Sequence, residues 1–242
     1  MKCETIEVMG VPFLNTTKEE LLNNYLYRDL SENKKRFVVT ANPEIVLSTR
    51  ENPSYKKSVL QADYIIPDGI GVVMASRWKK NPLKERIPGF EIMIELIKYA
   101  EDNALSCYFL GAKYEVNNLF LEKIKQLYPN LIISGYHHGF IDINDQNIVN
   151  QIRNTNPDLI FVALGMPKQE QWIEQHIDKL HKGLFMGVGG SFDVIAGIVK
   201  RAPSIWMKLN LEWLYRLIQQ PKRWKRTLKV FEFMIRIIFE RT

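Results

Sequence analysis

From residue 36 onward, short runs of consecutive apolar, often β-branched residues alternate with stretches in which apolar residues recur every three or four positions. The runs at Arg36–Thr40, Tyr64–Ile66, Leu105–Leu110, Leu131–Ser134, Leu159–Leu164 and Leu184–Val188 read as strands. Between them, Phe90–Asp102, Glu115–Leu127, Asp145–Asn154, Lys168–His181 and Phe192–Val199 carry the helical period. Strands that are apolar throughout, rather than at alternate positions, need cover on both faces, and a parallel sheet with crossover helices supplies it. The pattern therefore predicts an α/β fold: a Rossmann-like, mostly parallel sheet with helices on both faces. Helix-start signals agree, since Thr17-Lys18-Glu19-Glu20 has the form of a capping box and Asn42-Pro43 offers an N-cap followed by proline.

Near Pro203 the character changes. Two amphipathic segments follow, divided by Pro221, with Ile205, Leu209, Trp213 and Leu217 striping the first and Trp224, Leu228, Phe231, Ile235 and Ile238 the second. Between Ala196 and Thr242 stand 11 Lys/Arg against 3 Asp/Glu, a net of +8 in a chain whose total is +6. The preceding 195 residues are thus slightly acidic. A basic, aromatic, amphipathic appendage suits an anionic membrane surface, while the same stripes also suit packing on the domain or on another subunit. The chain divides accordingly into an α/β domain, 1–195, and a C-terminal appendage, 196–242. Met1 to Asn15 lacks the form of a signal peptide and no apolar run is long enough to span a bilayer. The expected location is cytoplasmic, peripheral on the inner face of the cell membrane, with self-association of the exposed stripes when no membrane is present. Cys3 and Cys107 lack metal-type spacing and read as free thiols. No nucleic-acid-binding module is visible, which argues against that use of the basic charge.

A doubly wound sheet gathers its ligands beyond the carboxyl ends of the strands. Five polar or glycine-rich segments fall there: Thr40-Ala41-Asn42-Pro43, Pro67-Asp68-Gly69-Ile70-Gly71, Gly111-Ala112-Lys113, Gly165-Met166-Pro167-Lys168-Gln169-Glu170 and Gly187-Val188-Gly189-Gly190-Ser191. Strand-to-helix turns of this kind present backbone N–H groups at positive helix ends, which suits a nucleotide or pyrophosphate. No Walker loop, nucleophile elbow, HExxH or GxGxxG pattern occurs, and Asp-x-Asp, a common magnesium-diphosphate clamp, is also missing. A departing diphosphate would then need protein cations. Arg216, Arg223 and Arg226 are the candidates, with lipid headgroups as their other use.

Asp68, between Pro67 and Gly69 at a strand end, is the candidate general base, and equally a candidate N-cap for the helix starting near Gly69. Asp63 sits at the wrong end of its strand, and Asp193 reads as a first-turn helix residue. Arg86 is a candidate anchor for a loop over the site, against the plainer reading of a surface arginine. His137 and His138 follow a strand without the spacing of a metal site, and His176 and His181 read as helix-surface residues.

Taken in order, TANPEIV at 40–46, ADYIIPDGIG at 62–71, ERIPGFE at 85–91, FLGAK at 109–113, GYHHGF at 135–140, LGMPKQEQW at 164–172 and VGGSFDVIAG at 188–197 resemble the WecG/TagA/CpsF family, glycosyltransferase family 26. The resemblance spans nearly the whole chain and looks closest to the wall teichoic acid branch. It implies inverting transfer of N-acetylmannosamine (ManNAc) from UDP-ManNAc to the 4-hydroxyl of GlcNAc on undecaprenyl diphosphate, forming a β-1,4 linkage without metal or cofactor. It further implies Asp68 as base, Thr40 and Asn42 lining the sugar pocket, Gln169 contacting the ligand, and Gly187, Gly189 and Gly190 near the UDP. The appendage would bring Arg216, Arg223 and Arg226 over the site. Other donors, UDP-ManNAcA or UDP-glucose, stay open, as does a nucleotide-sugar-binding membrane assembly protein without turnover.

Overall fold

The computed structural model describes residues 4–209, 211–220 and 224–239, apart from the side chains of Ser204, Lys208, Arg216, Lys225, Arg226 and Thr227. Cys3 and Arg223 lie outside the described residues. Six strands, β3 (Lys35–Ala41), β4 (Tyr64–Pro67), β5 (Ser106–Gly111), β6 (Ile132–His137), β7 (Leu159–Ala163) and β8 (Gly183–Gly187), form one sheet in the order β4-β3-β8-β7-β5-β6. Every pairing in it is parallel. The predicted α/β class is the one found, and β6 alone runs well past its expected end, to His137.

All five residues of β7 and of β8 are buried, the demand that makes these segments apolar without alternation. Neighbouring strand residues still point to opposite faces. Val39, Tyr108, Val162 and Phe185 join a core with α3 (Pro43–Glu51), α4 (Pro53–Leu60), α5 (Ile70–Trp78), α8 (Gln146–Thr155) and α9 (Lys168–His176). Val38, Phe109, Phe161 and Met186 face the other way, toward α6 (Gly89–Asp102), α7 (Tyr114–Leu127) and α10 (Ser191–Ile195). That second core also takes up Leu21, Leu26 and Leu30 from a helical stretch in which α1 (Lys18–Glu20) passes through a π-helical segment, Leu21–Leu26, into α2 (Tyr27–Ser31).

Both start signals are present. The Thr17 hydroxyl accepts from the Glu20 N–H while the Glu20 carboxylate accepts from the Thr17 N–H, and Asn42 Oδ1 accepts from the Ile45 N–H at 3.1 Å. The same signal recurs unread at Asn52-Pro53, where Asn52 caps α4. Also unforeseen is an antiparallel hairpin, β1 (Thr5–Val8) and β2 (Val11–Leu14), whose four-residue strands are too short to stand out as a pattern. α10 is shorter than Phe192–Val199, because the chain turns away at Gly197 with φ +77°.

The appendage contains α11 (Ser204–Lys208), α12 (Glu212–Gln219) and α13 (Trp224–Phe239). α13 is apolar on two sides. Phe233 and Ile237 are fully buried in the core with α3 and α5, and Lys229 Nζ pairs with Glu51 at 3.0 Å. The stripe expected from sequence, Trp224, Leu228, Phe231, Ile235 and Ile238, lies on the other side and is 52–54% exposed at every position. Ile205 and Leu209 are exposed as well, whereas Trp213 is partly covered and meets Phe231 edge-on at 6.0 Å. Among the described residues no helix is long and apolar enough to cross a membrane.

Truncating Phe233 to alanine is expected to cost about 3 kcal/mol by emptying a filled site. Urea unfolding followed by tryptophan fluorescence checks this; an unchanged midpoint would mean that α13 is not part of the core.

Candidate functional site

Four neighbouring strands, β4-β3-β8-β7, deliver the predicted residues to one edge of the sheet. Asp68 follows β4, Thr40 and Asn42 come at the end of β3, Gly187 to Gly190 follow β8, and Gln169 opens α9 after β7. Helices α3, α5, α6 and α9 all start here, so their positive ends face the same space.

Asp68 does not serve as the N-cap of α5, since Gly69 occupies that position. Its Oδ1 accepts instead from the N–H of Gly89, the first residue of α6, at 3.2 Å, and its own N–H is held by Ala41 O at 3.0 Å. Gly69 and Gly71 are glycines for a packing reason: a Cβ at either would stand 2.6 or 2.8 Å from the Pro43 ring at the start of α3.

Arg86 is no surface arginine, with a side chain only 17% exposed. Its Nε donates to Asp68 O at 2.6 Å and its Nη2 to Glu212 Oε2 at 2.8 Å, with Asp68 Oδ1 3.9 Å away. The loop around it is pinned on both sides, by Ile87 N–H to Pro67 O at 2.8 Å and by Lys84 to Glu20 at 2.7 Å. One guanidinium thus joins the candidate base to the first residue of α12. A second tie runs parallel to it, Arg201 to Glu91 at 2.9 Å, with the guanidinium 4.6 Å above the Phe90 ring. The side chains of Arg216 and Arg226, like Arg223 as a whole, lie outside the description, so α12 reaches the site here through Glu212.

Thr40 packs against Gly89, where a Cβ would come within 2.8 Å of its methyl group, and its Oγ1 donates to Gly187 O at 3.4 Å. Gln169 stands behind the glycine turn and is 5% exposed. Its Oε1 accepts from the Gly189 N–H at 3.1 Å, and its Nε2 donates to Glu170 Oε1 at 2.7 Å. Glu170 is 1% exposed and also accepts from the buried Tyr55 hydroxyl at 3.2 Å. Burial pushes its carboxyl up to about 7, against hydrogen bonds from Gln169 and Tyr55 that favour the ionised form.

Asp63 Oδ2 accepts from the Phe37 N–H at 2.8 Å, as expected of a residue at the far end of the sheet. His176 corrects the surface reading: it is fully buried beside Trp172, with Nε2 2.6 Å from Ile143 O, because α9 turns that face into the core. His181 is exposed. His137 ends β6 and His138 follows it, at the opposite edge of the sheet from β4. Cys107 is buried, and burial raises its thiol far above the ordinary range. Among the described residues no group of three or more His, Cys, Asp or Glu side chains is placed to hold a metal ion.

Two acids of this region escaped the sequence reading. Glu170 lay inside a motif already singled out, yet in a first helical turn an acid reads as a solvated dipole partner. Glu212 had a signal, being one of three acids in a strongly basic segment.

A parallel α/β sheet that collects glycine turns, helix starts and one carboxylate at its carboxyl edge fits the glycosyl transferases. Residues 6–242 match the Glycosyl transferase WecG/TagA/CpsF family, and the chain belongs to it. Among its relatives are proteins of Staphylococcus aureus strains MW2 and MRSA252 named N-acetylglucosaminyldiphosphoundecaprenol N-acetyl-beta-D-mannosaminyltransferase. Each is 43% identical over 234 residues, covering 96% of this chain and 91% of the relative.

Two outcomes follow from this geometry. Glu212→Ala removes one partner of a largely buried arginine and is expected to speed trypsin cleavage between residues 200 and 208, followed by mass spectrometry; an unchanged rate would mean that the pair does not hold α12. Glu170 favours protonation more in the folded than in the unfolded chain, so stability is highest below about pH 4.5 for this group and is lost as pH rises through about 7. Glu170→Gln should remove up to about 3 kcal/mol of that dependence, read from unfolding midpoints between pH 5 and 8.

Proposed function

We propose that this chain is an inverting N-acetylmannosaminyltransferase that moves ManNAc from UDP-ManNAc to the 4-hydroxyl of GlcNAc-diphosphoundecaprenol in wall teichoic acid linkage-unit synthesis. The observation that carries the reading is the agreement between the activity for which the relatives are named and the edge where Asp68 stands across β3 from the glycine turn after β8. Asp68 acts as base: it takes the proton of the acceptor hydroxyl while that oxygen bonds to the anomeric carbon. The bond from that carbon to the diphosphate breaks, and its electron pair leaves with UDP. Negative charge grows on the leaving group, and protein cations and helix starts answer it in place of a metal. Arg216, Arg223 and Arg226 are the proposed cations, with Arg86 as a substrate-binding group beside the base. Thr40 and Asn42 border the sugar, Gln169 supports the donor from behind, and Gly187, Gly189 and Gly190 lie along the UDP.

The acceptor's lipid stays in a bilayer, and the outward row of α13 is the proposed contact with it, assisted by the positive charge of the segment. In this reading residues 1–195 carry the donor site while residues 196–242 complete it at the inner face of the cell membrane. Self-association off the membrane is the counterpart of the same exposed row.

The direct test is formation of the disaccharide-lipid from UDP-ManNAc and a short-chain GlcNAc-diphosphate-lipid with EDTA present. Asp68→Asn retains an oxygen for the Gly89 N–H and is expected to reduce kcat by about a hundredfold or more without unfolding the protein. A wild type that binds UDP-ManNAc but makes no product would sink the transferase reading. For the membrane contact, Phe231→Ser with Ile235→Ser should abolish co-flotation with anionic vesicles and leave the melting temperature within a few degrees; retained flotation would rule out this face.

A further inference from the structure

We infer that Glu170 is a positioning residue of the donor site, fixing which end of the Gln169 amide faces the glycine turn that takes a nucleoside diphosphate. This rests on the donor-site reading above. The two ends of a glutamine amide have nearly the same shape, so packing alone does not choose between them. Hydrogen bonding does. With Oε1 toward Gly189 the amide accepts the backbone N–H at 3.1 Å; reversed, it would set its own N–H₂ against that donor.

The choice is made on the other side of the amide. Glu170 Oε1 lies 2.7 Å from Gln169 Nε2, and a carboxylate oxygen there repels the reversed arrangement oxygen to oxygen. The Tyr55 hydroxyl donates to the second carboxylate oxygen at 3.2 Å and keeps Glu170 from turning aside. Tyr55, Glu170 and Gln169 are 0%, 1% and 5% exposed, so water does not compete for these bonds. Gly187 supplies an independent sign that the amide is fitted to the turn: a Cβ there would stand 2.6 Å from Gln169 Nε2. A carboxyl group this deeply buried is costly to ionise, and its ionised form is the one that holds the Gln169 amide in this orientation.

The chain of bonds sets up an interdependence that simple packing does not. In Glu170→Gln the new amide can keep its oxygen toward Gln169 and give its N–H₂ to the Tyr55 oxygen. In Tyr55→Phe, the ionised Glu170 still offers acceptors only, so the variants are compared at about pH 9, where the carboxyl has lost its proton. In the double variant the new amide can turn either end to Gln169, and only the Gly189 N–H is left to hold the Gln169 orientation.

The experiment is calorimetric titration of UDP into the full chain, with the KM for UDP-ManNAc and the melting temperature measured alongside. Each single variant is expected to keep the UDP Kd within about twofold, and the double variant to raise both Kd and donor KM about tenfold, with the acceptor KM unchanged. Additive effects, or a double variant that binds UDP like wild type whatever its melting temperature, would overturn the proposal. So would a Glu170→Gln enzyme that binds UDP normally but has lost turnover, since the charge would then act in the chemistry. A wild type that binds no UDP would overturn the donor-site reading itself, and this proposal with it.

Discussion

Everything in this protein is organised by the requirement that a parallel sheet be covered on both faces. Once helices occupy the two faces of β3 to β8, polar groups of the chain can reach a ligand only at the strand ends. The carboxyl edge is the productive one, because there each strand hands over to the positive start of a helix. Order in the sheet then matters more than order in the sequence. Thr40 and Gly187 are far apart along the chain and touch because β3 and β8 are neighbours.

The two edges of the sheet use their carboxylates differently. At the amino edge, Asp29 is shared by Arg36 at 2.8 Å and the Tyr64 hydroxyl at 2.6 Å, Asp63 takes the Phe37 N–H, and Asp158 takes the Ser106 N–H and the Lys182 ammonium. These acids close strand ends and brace the fold. At the carboxyl edge Asp68 is braced too, by Gly89 and Arg86, but its braces come from a loop and a helix start, and Arg86 is shared with α12. Among the described residues Arg86 thus links α12 to the candidate base, and the docking of α12 is felt at the strand end.

Sequence pattern carried the architecture a long way. Continuous apolar runs such as Leu159–Leu164 could only be buried strands, and the asparagine-proline and capping-box signals act over three residues, a range that a linear reading covers. What stayed hidden depends on distance in three dimensions. The burial of His176 and Glu170 is decided by how α9 rolls on the sheet, and two helical faces with nearly equal polarity do not reveal the roll. The site was readable as a set of strand-end segments, and Asp68 stood out among them. Glu212, which shares Arg86 with it, did not, because nothing local links residue 212 to residue 86. The tail was read as carrying one apolar stripe, whereas α13 carries two, and the inner pair, Phe233 and Ile237, is the one that the core selects.

That second row changes how the appendage should be pictured. A basic segment attached by a linker would sample many orientations, and the sheet edge would swing beneath it. Here Phe233 and Ile237 are set among core residues of α3 and α5, and Met234 Sδ comes within 3.8 Å of where a Gly71 side chain would begin, three residues from Asp68. The outward row consequently has one heading relative to the strand ends. Whatever surface that row rests on, Asp68 stands at a fixed height above it, so the depth at which an acceptor must present its hydroxyl is a property of the packing.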